Sequence, residues 1–110
     1  MAHAVPEFES KHVLGKTQHF NGSVGVASAL VPAAPGKKIS RVFVKNANTN
    51  SFSKELKVAM DGGTDYLNLQ KGEWVDWVPK NNNSNMPILQ VRILGSVDTV
   101  AYEILMDFEP

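Results

Sequence analysis

Cysteine is absent from the 110-residue chain, which removes disulfides, thiolate nucleophiles and cysteine-ligated zinc together and leaves the redox compartment open. Arginine is scarce: of 11 basic residues only Arg41 and Arg92 carry a guanidinium, and 11 acidic residues bring the formal net charge to zero. No long-range field gathers nucleic acid or anionic lipid, and the planar fork suited to phosphate is nearly missing. Neither a nucleic-acid nor a membrane partner is expected. The uncharged stretch over residues 22–36 has too many small residues and prolines to span a bilayer. The opening Met-Ala-His-Ala-Val-Pro-Glu lacks the basic and then apolar pattern of a secretory leader. The expectation is a protein used where it is made or carried onward in an assembly.

Catalytic signatures are missing too. There is no Gly-x-Ser-x-Gly elbow and no phosphate-binding glycine loop, and the histidines (His3, His12 and His19) all fall near the start of the chain. Their spacings match no compact metal pattern. They read as solvated or interface residues; if the segment that carries them packs on a neighbour, that contact becomes sensitive to acid, because imidazole titrates near neutrality. An enzyme is not expected, and neither is a cofactor or a metal. Asp61 and Asp65 flank a glycine pair that superficially suggests a calcium loop, but the further oxygen ligands and the terminal glutamate of such a loop are lacking.

What is there is strand grammar. Leu56, Val58 and Met60 alternate with Lys57 and Ala59, the period of a strand with one buried face. Asp61, Gly62 and Gly63 supply a turn, since glycine accepts positive φ and aspartate can accept from backbone amides just ahead of it. Leu67 and Leu69 resume the alternation, so residues 56–69 form the hairpin around which the rest is organised. Further strands are expected over residues 23–31, 39–45, 74–78, 88–94 and 97–108, with turns at Pro35-Gly36, at residues 70–73 and at Gly95-Ser96. In the last strand Val100, Tyr102, Ile104, Met106 and Phe108 share the core face, opposite Ala101, Glu103 and Asp107. About seven strands at intervals of roughly 8–12 residues, without an amphipathic helix, predict an all-β fold: an antiparallel β-sandwich or jelly-roll-like barrel. A chain of this size, 43% apolar and 20% charged, makes one domain with an adequate core.

Residues 1–22 follow neither period and read as an extended N-terminal arm, leaving residues 23–110 as the sandwich domain. Ordering about 20 residues costs on the order of 20–40 kcal/mol of backbone entropy. A solvated arm cannot offset that, so the arm is expected to lie against a neighbouring subunit, with Phe8, Val13, Leu14 and Phe20 as apolar anchors. Trp74 and Trp77 point to opposite faces of one strand. Trp77, with Val75, belongs to the core. Trp74, with Asp76, faces outward, where a tryptophan serves either as an interface anchor or as a stacking platform for a sugar. The asparagine-rich stretches 46–50 and 81–85 read as solvent-facing loops. Asn21-Gly22-Ser23 and Asn82-Asn83-Ser84 fit the glycosylation pattern but come without a secretory signal.

Three stretches together resemble small β-sandwich structural proteins encoded in the virion gene clusters of tailed bacteriophages. The first is residues 23–38, with Val-Gly-Val-Ala-Ser-Ala-Leu-Val-Pro-Ala-Ala-Pro-Gly-Lys-Lys. The second begins with Arg-Val-Phe-Val-Lys-Asn-Ala-Asn at residues 41–48 and continues, after a loop, through the Asp-Gly turn to Lys-Gly-Glu-Trp. The third is the closing Gly-Ser-Val-Asp-Thr-Val-Ala-Tyr-Glu-Ile-Leu-Met-Asp-Phe. The resemblance spans residues 23–108, carries no catalytic residues and leaves the arm unexplained. It implies a non-enzymatic virion structural protein, a capsid decoration (cement) or head-neck accessory protein assembled in the host cytoplasm. Its partners would be the major capsid protein or other virion proteins, and copies of itself in a homo-oligomer. The alternatives are a carbohydrate-binding or host-adhesion module, with a glycan as partner, and a tail or baseplate accessory protein.

Overall fold

A computed structural model of the chain describes residues 17–49, 54–79, 87–97 and 99–109. They form eight strands: β1 (Thr17–Val24), β2 (Ala29–Val31), β3 (Ile39–Asn46), β4 (Leu56–Ala59), β5 (Leu67–Leu69), β6 (Trp74–Trp77), β7 (Val91–Gly95) and β8 (Val100–Phe108). Two four-stranded antiparallel sheets result, in the orders β1-β8-β3-β6 and β2-β7-β4-β5. The pairs β1·β8, β2·β7, β3·β6 and β4·β5 are nested about the turn between β4 and β5. The chain is thus one long ribbon, folded back on itself at the 56–69 hairpin and then wrapped so that β3 meets β8 and β4 meets β7. That is the jelly-roll order of a β-sandwich.

The turns obey the local chemistry. Asp61 Oδ1 accepts from the Gly63 N–H at 2.9 Å, and Gly62 sits at φ +78°. Between β5 and β6, Gly72 at φ +79° lets the Glu73 N–H reach the Gln70 carbonyl at 2.9 Å, the hydrogen bond of a glycine-dependent tight turn.

Between the sheets lie Ile39, Val42, Val44, Leu56, Val58, Val91, Ile93, Val100, Ile104 and Met106, all without solvent exposure. Tyr102 and Phe108 pack against this core, so the alternation expected of the last strand holds. Ile39 and Val42, three apart, both reach the core because the β3–β8 register shifts between Ile39 and Arg41, an extra residue that switches the facing.

Two expectations about the first third of the chain need correction. The strand expected over residues 23–31 is two strands in different sheets. Val24 and Val31 are both buried although their positions differ in parity, so no single regular strand could bury both, and Val26 between them is 61% exposed. The chain turns over at residues 25–28, where the Gly25 carbonyl accepts from the Gly95 N–H at 2.8 Å. The segment expected as an arm over residues 1–22 divides at Thr17: residues 17–22 belong to β1, in register with β8 of their own domain. Residues 1–16, with Phe8, Val13 and Leu14, lie outside the described residues.

Candidate binding face

The outward side of the β1-β8-β3-β6 sheet is built by alternation. On β3, Val42 and Val44 point to the core, so Arg41, Phe43 and Lys45 point away. Cross-strand registers then set three rows on this face. Asn21, Glu103, Lys45 and Trp74 form one; His19, Leu105, Phe43 and Asp76 the second; Thr17, Asp107 and Arg41 the third.

Aromatic surface occupies one side of the face. Trp74 is 48% exposed while Phe43, on the neighbouring strand, is only 8% exposed, and their ring centroids lie 5.5 Å apart in a tilted stack. Trp77, one strand position beyond Asp76, packs against the core together with Val75. The two tryptophans thus divide as their spacing requires.

One charge pair on the face is made with good geometry. Arg41 donates through Nε to Asp76 Oδ1 at 3.0 Å and through Nη2 to Asp76 Oδ2 at 2.9 Å. The guanidinium is held above its ordinary range first by these hydrogen bonds, against the desolvation of partial burial, and then by the charges of Asp76 and Asp107. Asp107, 8% exposed, accepts from Thr17 Oγ1 at 2.5 Å. His19 Nε2 lies 3.6 Å from Glu103 Oε2, both side chains about half exposed. The paired fork fixes Asp76 beside Phe43, which holds β6, and therefore Trp74, in place. The result is a half-exposed tryptophan stacked on a nearly buried phenylalanine, with Lys45 beside it in register and the Arg41–Asp76 pair further along the face.

Comparison of the chain with protein-family models found no match, and comparisons with curated proteins and with solved structures found none either.

Other sequence candidates are placed as follows. Phe20 lies on β1, half-buried, with its inward side packed on the core of its own domain, so it is at least in part a fold residue. His3, His12 and the asparagine-rich stretch 81–85 lie outside the described residues. Asp61 is used in its turn, and among the described residues no group of three or more His, Asp or Glu side chains is placed to hold a metal. Arg92, like Arg41, is used within the fold: Nε donates to the Gly62 and Gly63 carbonyls at 3.2 and 3.0 Å, and Nη1 to Ser28 Oγ at 3.1 Å.

Asn46 overturns its expectation as a loop residue. It ends β3 fully buried, facing inward like Val42 and Val44. Its Nδ2 donates to the Lys54 and Leu69 carbonyls at 2.8 and 2.9 Å, and its Oδ1 accepts from the Asn48 N–H at 3.0 Å and from Asn48 Nδ2 at 2.8 Å. Its backbone N–H reaches the Glu73 carbonyl and its carbonyl accepts from the Gly72 N–H, each at 3.0 Å. Every hydrogen-bonding position is filled, so Asn46 ties the β3–β4 connection to the β5–β6 turn at one corner of the sandwich and has nothing left for a ligand.

The residue that sequence reasoning passed over is Phe43. Its parity with Arg41 and Lys45 in Arg-Val-Phe-Val-Lys was the available signal, since it puts the phenylalanine on the charged side of the strand.

Proposed function

We propose that this protein is a non-enzymatic structural protein of a bacteriophage virion, a capsid decoration or head-neck accessory protein that holds neighbouring subunits through the Trp74–Phe43 face and through residues 1–16. The carrying observation is the half-exposed Trp74 stacked on a nearly buried Phe43 on an outward sheet face. A soluble domain gains nothing in its own stability by lifting its largest ring into water, whereas aromatic anchors of this kind dominate protein interfaces. The resemblance of residues 23–108 to phage β-sandwich proteins supplies the kind of partner, and jelly-roll domains are frequent in shells built from protein contacts.

Size supports a second contact. Three strands of eight or nine residues and one of four, about 4.8 Å apart, present on the order of 450 Å², short of the roughly 800 Å² per partner of a stable interface. Residues 1–16 precede Thr17, the first residue of β1, and sixteen residues reach at most about 50 Å when fully extended. With Phe8, Val13 and Leu14 as anchors they supply the missing area against a neighbouring subunit.

The test is co-sedimentation with virion shells assembled without this protein. Phe8→Ala weakens binding and leaves the melting temperature unchanged. Phe20 is a poorer probe, because its substitution also disturbs the core edge. The rival reading, a carbohydrate-binding or host-adhesion module, draws on the same exposed ring as a sugar platform. Glycan-array signals that vanish in Trp74→Ala, with no binding to shells, would replace the virion reading by that one.

A further inference from the structure

Four strands lie at sheet edges: β1 and β6 in one sheet, β2 and β5 in the other. An edge strand offers a row of unpaired N–H and C=O groups to any passing chain, and folded proteins guard it by shortness, proline, lysine or a bulge. Three of the four are guarded. β2 and β5 are three residues long and β6 four, and Pro32 follows β2 directly while Pro79 closes the stretch after β6.

β1 is not. It runs eight residues and pairs with β8 at every position without a register shift. Its sequence, Thr-Gln-His-Phe-Asn-Gly-Ser-Val, contains no lysine, arginine, carboxylate or proline. Gln18, His19, Asn21, Gly22 and Ser23 are exposed, and among the described residues no strand lies along their outer side.

We propose that β1 is a self-pairing edge, joining antiparallel to β1 of a second copy of this chain across a two-fold axis, so that two four-stranded sheets become one continuous sheet of eight. The strand is self-complementary in the way such pairing demands. Keeping inward residues opposite inward residues allows the registers centred on Phe20 and on Asn21. In the first, Phe20 meets Phe20 of the second copy at the margin of both cores; in the second, it covers the other copy's Gly22. Neither brings like charges together, because β1 carries no fixed charge. On β6, the opposite edge of the sheet, Asp76 and both tryptophans would have to be accommodated instead. One eight-residue strand pair buries less than the roughly 1,200 Å² of a stable interface, so the dimer is weak and concentration-dependent. The proposal stands on the edge geometry and does not rest on the virion reading.

Sedimentation equilibrium of the full chain from about 1 μM to about 1 mM, the range in which weak interfaces dissociate, reads the association. Hydrogen exchange at the two ends of that range locates it. The expected result is a monomer–dimer equilibrium with concentration-dependent protection confined to β1. His19→Lys with Asn21→Lys, both exposed, raises the dimer dissociation constant at least about tenfold by placing lysines on the edge. Ala34→Lys with Thr64→Lys adds lysines at exposed positions elsewhere and leaves it unchanged. A monomer throughout would overturn the proposal, as would equal weakening by both double variants or protection located away from β1.

Discussion

Asn46 and Phe43 stand three residues apart on β3 and invert the usual arrangement: the amide is inside and the large aromatic outside. The inside group is closed, since both amide hydrogens, both carbonyl lone-pair positions and the backbone groups are taken by Lys54, Leu69, Asn48, Glu73 and Gly72. The outside group is open on one side, with Phe43 shielded by Trp74 and Trp74 itself half in water. A buried polar side chain whose partners all belong to its own chain is there for the fold. An aromatic pair on a wet face adds less to the fold, and it is this pair that we propose as the contact for a partner. The same strand therefore carries the fold's corner and the candidate interface, and substitutions should separate them.

The largest effect falls on the closed side. Asn46→Ala takes its donor from the buried Leu69 carbonyl and the part-buried Lys54 carbonyl and its acceptor from Asn48, a loss of about 2–4 kcal/mol. Urea unfolding should show the midpoint falling with an unchanged slope, and partner binding measured well below the melting temperature should not move. Phe43→Ala tests the boundary between the two sides. Removing a nearly buried ring on an outer face costs about 1–3 kcal/mol and frees Trp74 from its support, so stability and binding should both decline.

Arg41→Gln removes the fork to Asp76 and costs about 0.5–1.5 kcal/mol in thermal unfolding, the pair being partly exposed. Trp74→Ala gives up the buried half of the ring and its stack on Phe43, about 1 kcal/mol. Its larger effect falls on binding.

The same comparison shows what was legible in the sequence. The hairpin, the Gly62 and Gly72 turns, the faces of the last strand and the division of Trp74 from Trp77 follow from alternation and turn chemistry, which act over a few residues. Asn46 was misread because its partners lie at Lys54, Leu69 and Glu73, and nothing in Asn-Ala-Asn-Thr-Asn reveals that the chain returns to that corner at Lys54 and again at the β5–β6 turn. The split into β1 and β2 was hidden by Val24, Val26, Ser28 and Leu30, a locally regular alternation that breaks only when Val31, of the other parity, must also be buried. The start of β1 was hidden because an edge strand has half its inward positions exposed, so Gln18 and Gly22 dilute the pattern that Phe20 and Val24 carry. Phe43 was legible by parity but read as one more strand-forming residue.

The measurement closest to the central claim compares wild type and Trp74→Ala for binding to virion shells lacking this protein, with thermal unfolding run on the same samples. The account predicts a loss of affinity of at least about tenfold, about 1.4 kcal/mol, with the melting temperature changed by no more than a few degrees. Equal affinity of the two proteins at equal stability would contradict it, and would remove the outer face of the β1-β8-β3-β6 sheet as the site of contact.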